Sequence, residues 1–96
     1  MTDRDFQVAW DTALQSETEQ EFLISCRDLI TINEAYLRKV WLAAKMPLLC
    51  MIRRNNMDTY GFAVRFCMPF DLVCNLCNDG CPDYMRLGFA RQLGMV

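Results

Sequence analysis

At 96 residues the chain has room for one core, because domains rarely pack independently at half that length, and a single domain over residues 1–96 is expected. The absence of histidine removes the usual general base for a Ser or Cys nucleophile, the usual switch near neutral pH and every mixed Cys/His zinc site, so no enzyme is expected. A net charge of −2 argues against a dedicated nucleic-acid binder, which is ordinarily basic.

Thr2 followed by Asp5 forms a capping box, and Phe6, Trp10, Ala13 and Leu14 then share one helical face, which predicts a helix over 3–15. Ser16 with Glu19 repeats the capping signal ahead of Phe22, Cys26, Leu29 and Ile30, which predicts a second helix reaching Ile30. Thr31 with Glu34, or Asn33 alone, opens a third helix whose stripe is Leu37, Val40, Trp41 and Ala44. It should end near Lys45, since the residue before Pro47 is pushed out of the helical region.

Leu48 to Ile52 is a short apolar run, and Phe62, Val64 and Phe66 alternate with Ala63, Arg65 and Cys67. With the turn formers Asn55, Asn56, Asp58 and Gly61 between them, an antiparallel β-hairpin of 48–53 with 61–67 is favoured over a continued helical bundle. Pro69 breaks the chain, Asp71 caps a short helix that Gly80 ends, and Pro82 starts a last helix with Met85, Phe89 and Leu93 in a stripe and Gly94 at its close. The expected fold is therefore mainly α (α+β), about five helices with one hairpin.

Four cysteines, Cys67, Cys74, Cys77 and Cys81, fall within fifteen residues. Four thiolates could complete a zinc site, but their spacing is also that of one helical stripe. On a continuous helix Cys74 and Cys81 would stand about 10 Å apart at roughly 1.5 Å per residue, too far to share an ion. Buried cysteines acting as small hydrophobes are the preferred reading, with no metal and no cofactor. The chain opens on Thr2-Asp3-Arg4-Asp5 after its Met, unlike a signal peptide, so reduced thiols and a cytoplasmic location are expected. The most apolar stretch, 41–52, contains Lys45 and Pro47 and is too short to cross a bilayer, so no membrane partner is expected.

Charge divides the chain. Residues 1–34 hold eight acids and two bases, whereas 35–96 hold eight bases and four acids. Asp11, Glu17, Glu19 and Glu21 are candidate contacts for a basic surface on a partner, and Arg38, Lys39, Lys45, Arg53 and Arg54 for phosphate. Glycine and apolar residues make up 52 of the 96 positions, above the roughly 45–50% of ordinary soluble domains, and seven of them are Met. A domain this small cannot hide them all, which points to an apolar, Met-rich contact patch for a partner or a second copy, with Trp10 and Trp41 as anchors where exposed.

Short, histidine-free, cysteine-containing and without catalytic signatures, the chain resembles in texture the accessory and inhibitor proteins of phages and plasmids. That resemblance implies a protein-binding module that inhibits or regulates a nucleic-acid-handling complex. The alternative is a small nucleic-acid-binding regulator using the basic stretch 38–54.

Overall fold

The computed structural model describes residues 2–27 and 33–96. Among them are seven helices and no strand: α1 (Asp3–Leu14), α2 (Glu19–Arg27), α3 (Glu34–Lys45), α4 (Leu48–Arg54), α5 (Thr59–Arg65), α6 (Phe70–Asp79) and α7 (Asp83–Gln92). The start of α1 follows from its capping box, in which Thr2 Oγ1 accepts the Asp5 N–H at 3.1 Å and Asp5 returns a bond to the Thr2 N–H. The α2 cap lies two residues beyond the Ser16–Glu19 signal: Thr18 Oγ1 accepts the Glu21 N–H, and the Glu21 carboxylate accepts the Glu17 N–H. Asn33 caps α3 through the Ala35 N–H at 2.7 Å. The alternative cap Thr31, like Leu29 and Ile30 of the second predicted stripe, lies outside the described residues.

Helices α1, α2, α3 and α7 form a four-helix cluster in which each packs on the next, α7 closing the ring against α1. Their shared core contains Trp10, Leu14, Phe22, Cys26, Leu37, Val40 and Leu87. An aromatic chain runs through it, Phe6 to Trp10 to Phe22 to Trp41, with successive ring centroids 6.4, 5.9 and 5.3 Å apart. The short helices α4, α5 and α6 intervene in sequence between α3 and α7 and pack on one another. Phe89 of α7 joins them to the bundle, 5.0 Å from both Phe62 and Phe66. This second cluster lengthens the molecule to 40 × 25 × 21 Å with a radius of gyration of 14.3 Å, above the about 12.5 Å of a compact domain this long.

The β-hairpin expected over 48–53 and 61–67 is absent, and seven helices replace the expected five. In the first of those segments Leu48, Met51 and Ile52 are buried, an i, i+3, i+4 pattern that is a helical face concealed in an uninterrupted apolar run. In the second, Phe62 and Phe66 are one helical turn apart, with centroids 4.5 Å apart. The intervening turn formers end and begin helices instead of reversing a strand. Asn55 is the C-cap of α4, Asn56 takes a left-handed conformation at φ 58°, and Asp58 caps α5 by accepting the Gly61 N–H at 2.6 Å. A Cβ at position 61 would lie 3.1 Å from that carboxylate oxygen, so glycine lets the cap close. Pro69, and not Asp71, occupies the cap position of α6, and Asp71 sits in its first turn.

Three helices end in the same Schellman geometry. After α4, α5 and α7 the chain places Asn56, Cys67 and Gly94 in the left-handed region, and the next residue donates its N–H back into the helix: Met57 to Ile52, Met68 to Ala63 and Met95 to Ala90. A methionine follows the left-handed residue each time, packed against the core as the apolar clasp of the motif. The expected Met-rich surface patch is thereby corrected: Met46 and Met51 are buried, and Met57, Met68, Met85 and Met95 are half-buried. Cys67 at φ 53° carries the penalty that a Cβ meets in this region, about 1–2 kcal/mol. Cys67→Gly relieves it and loses part of the gain to unfolded-chain entropy, so a net stabilisation of about 0.5–1 kcal/mol is expected in urea unfolding.

Candidate contact surfaces

On α1 the buried residues are Trp10, Ala13 and Leu14, with Phe6 half-buried beside them. Val8 lies two residues from both Phe6 and Trp10, which at about 100° per residue turns it to the opposite side of the helix, and it is 59% exposed. On α2, Ile24 stands in the same relation to the buried Phe22 and Cys26 and is 51% exposed. The two helices are joined by a four-residue turn and run antiparallel, with Trp10 packed edge-on against Phe22. Asp5 and Asp11 flank Val8 three residues away on either side, with Arg4 the one cation on the helix; Glu21 and Arg27 flank Ile24 likewise.

The expected acidic contacts are treated differently by the fold. Glu19 forms an ion pair with Arg38 of α3, an attraction between the acidic and basic halves of the chain. Asp11 accepts the Gln7 side-chain amide at 2.9 Å, and Glu21 accepts a backbone N–H. Among the described residues no cation lies within ion-pair distance of Asp11, Glu17 or Glu21.

Comparison of the chain with protein-family models, curated proteins and solved structures finds no match.

The five basic candidates are likewise separated. Arg38 holds Glu19 and, at 2.9 Å, Glu34, so its charge is spent within the fold. Lys45 pairs with Asp83, donates to the Leu14 carbonyl at 2.7 Å and lies 4.9 Å from the centroid of the Trp41 ring. Lys39, Arg53 and Arg54 are exposed, with no carboxylate within ion-pair distance among the described residues. Arg53 and Arg54 stand in the last turn of α4, where cations suit the helix dipole. With Lys45 they edge a groove of about 510 Å³ between α3 and α4, whose floor includes Trp41, Leu42 and Pro47. Among the described residues no carboxylate lines it. A second cleft, about 520 Å³, follows the seam between Phe6, Trp10 and Leu14 of α1 and Tyr84, Leu87 and Arg91 of α7.

Another apolar surface lies on α5 and α6. Tyr60 is 66% exposed, its ring centroid 6.2 Å from that of Phe70, and the exposed Val64 is one turn further along α5. It was obscured by the strand reading of this segment.

The cysteine series is dispersed. Cys67 is exposed beyond α5, Cys74 and Cys77 are half-buried in α6, and Cys81 alone of the four is buried, so the expectation of four buried thiols is corrected. Among the described residues no three His, Cys, Asp or Glu side chains are placed to hold a metal ion. Burial pushes the Cys26 thiol up; burial and then the neighbouring Cys74 do the same to Cys77. Burial raises Cys81 against the opposing pull of Arg86. Thiols held in the protonated form are poor nucleophiles. Among the described residues no helix is long and apolar enough to cross a membrane.

Proposed function

We propose that the chain is a protein-binding module that inhibits or regulates a nucleic-acid-handling complex, docking through the outer face of the α1–α2 hairpin. The observation that carries this reading is the pair Val8 and Ile24, exposed on the side opposite the core, with Asp5 and Asp11 flanking Val8 and Glu21 beside Ile24. A β-branched residue on the solvent side of a helix lowers helix propensity by a few tenths of a kcal/mol and buries nothing in the isolated chain. In a complex the same residues become apolar anchors within a polar rim. The carboxylates around them suit a basic partner surface of the kind that otherwise holds phosphate, and they speed encounter with it.

The test is capture from the native host with three chains: wild type, Val8→Ser with Ile24→Ser, and Tyr60→Ser with Phe70→Ser. A partner held by the wild type and by the α5–α6 variant, but lost from the α1–α2 variant at unchanged helicity, is the expected result. Retention by the α1–α2 variant with loss from the α5–α6 variant moves the contact to the other surface and overturns the proposal.

The nucleic-acid alternative draws on the exposed Arg53 and Arg54. With Arg38 and Lys45 engaged by carboxylates, Lys39, Arg53 and Arg54 are the cations of that stretch without a carboxylate partner among the described residues, and three phosphate contacts give a log–log salt slope of no more than about −3. A steeper slope would contradict this assignment of the cations, and failure to bind duplex or single strands at low salt would eliminate the alternative.

A further inference from the structure

The groove between α3 and α4 is built from two helix faces that meet at Pro47. On α4, Cys50, Arg53 and Arg54 recur at helical spacing on the side away from the buried Leu48, Met51 and Ile52, and all three are exposed. On α3, Leu42 lines the groove at 51% exposure, and the exposed Lys39 stands one turn before it. Lys39, Arg53 and Arg54 have no carboxylate within ion-pair distance among the described residues, whereas Lys45 at the edge is neutralised by Asp83. Exposed apolar side chains and unspent positive charge thus share one concave surface.

The arrangement restricts what can fill it. Cations reach Leu42 from two helices, Lys39 along α3 and the arginines from α4, so an occupant with a single anionic head would leave one set unpaired. A nucleic-acid strand draws affinity from bases stacked on aromatic faces. Trp41 is the one aromatic side chain among the described residues lining the groove, and its ring is already engaged, by Phe22 at 5.3 Å and by the Lys45 ammonium at 4.9 Å. What the groove offers is aliphatic contact, at Leu42 and Pro47, bordered by cations. An amphipathic helix with an apolar side chain and carboxylates one turn to either side matches both features.

We propose that the α3–α4 groove binds an acidic amphipathic helix of a partner protein, one apolar side chain of that helix resting on Leu42 and its carboxylates meeting Lys39, Arg53 and Arg54. Neither α1 nor α2 lines the groove, so the contact is separate from the α1–α2 docking face and has the opposite charge preference. One chain can then bridge a basic and an acidic surface of the same complex.

The test is selection of peptides by the full chain. A displayed library of random peptides about 16 residues long, enough for roughly four helical turns, is selected at low salt. Each selected peptide is then measured against wild type, Leu42→Ser, Arg53→Gln with Arg54→Gln, and the control Tyr60→Ser with Phe70→Ser, every variant checked for a cooperative melting transition. The expected result is a class of peptides with an apolar residue flanked by Asp or Glu three or four positions away. Each groove variant should weaken their binding by about tenfold or more, the loss of one central contact, and the control should leave it unchanged. A selection that yields no peptide dependent on the groove residues overturns the proposal, as do groove-dependent peptides without carboxylates. A single-stranded oligonucleotide that binds wild type and Leu42→Ser equally, but is lost when the two arginines are replaced, assigns these cations to phosphate and also overturns it. Failure here leaves capture through Val8 and Ile24 untouched, because that contact calls for a basic partner.

Discussion

Trp10→Ala is expected to cost the fold about 3–5 kcal/mol, the range for deleting a large aromatic side chain from a packed core. Trp10 is 8% exposed and stands between Phe6 and Phe22 in the aromatic chain that joins α1 to α2. Removing its indole leaves a void against Phe22, which is fully buried and also touches Trp41. Small domains are stable by only about 5–15 kcal/mol, so the variant should unfold at a much lower urea concentration and melt well below the wild type. A loss under about 1 kcal/mol would place Trp10 outside the core and return it to the set of contact residues. Trp41 is intermediate: one part packs on Phe22, and another forms the floor of the α3–α4 groove.

Asp83→Ala should produce the second large effect, through charge and not volume. Lys45 and Arg86 converge on the Asp83 carboxylate, and each also donates to a backbone carbonyl, Lys45 to Leu14 and Arg86 to Ala44. This node ties the ends of α1 and α3 to the start of α7, where Pro82 supplies no side-chain cap. The three side chains are between 14% and 30% exposed, so removing the acid leaves two cations facing each other with restricted access to water. Breaking a fully buried pair costs about 3–5 kcal/mol; with this degree of exposure about 2 kcal/mol is expected. Adding Lys45→Met should recover part of the loss, because the repulsion needs both cations, and a double-mutant cycle in urea measures that coupling. Strictly additive losses would show that the node does not act as one.

The elements legible in the sequence were those whose apolar residues recur at helical spacing beside a capping signal. Thr2 with Asp5, and Asn33 ahead of the Leu37–Val40–Ala44 stripe, located α1 and α3 almost to the residue. The segment from Leu48 to Phe66 was misread because Leu48 to Ile52 is uninterruptedly apolar and Phe62, Val64 and Phe66 alternate with Ala63, Arg65 and Cys67, and seven residues are too few for the helical period to outweigh alternation. Asn55, Asn56 and Asp58 mark chain reversals in either fold, since left-handed and capping conformations serve helix ends as well as hairpins. Met57, Met68 and Met95, each one residue beyond a left-handed position, are a signal that tertiary packing makes intelligible.

Charge was legible as a total for each half of the chain but not as a surface. Sequence placed Arg38 and Lys45 with Arg53 and Arg54, whereas folding brings Glu19, Glu34 and Asp83 onto the first two. The residues that most distinguish the α1–α2 face, Val8 and Ile24, were detectable in principle. Each is an apolar residue about 200° away from a stripe already identified as core, and an unexplained apolar position opposite a core stripe is the feature to seek.

The central claim, that the outer face of the α1–α2 hairpin is the protein-contact surface, is tested most directly by a photoreactive side chain at position 8 and, separately, at position 60. Each chain is irradiated in host lysate, and the adducts are separated by mass from homodimers. Position 8 should give a single heterologous adduct, abolished by high salt and competed away by unlabelled wild type, while position 60 gives none. A specific heterologous adduct from position 60, with position 8 silent or linked solely to a second copy, would contradict it.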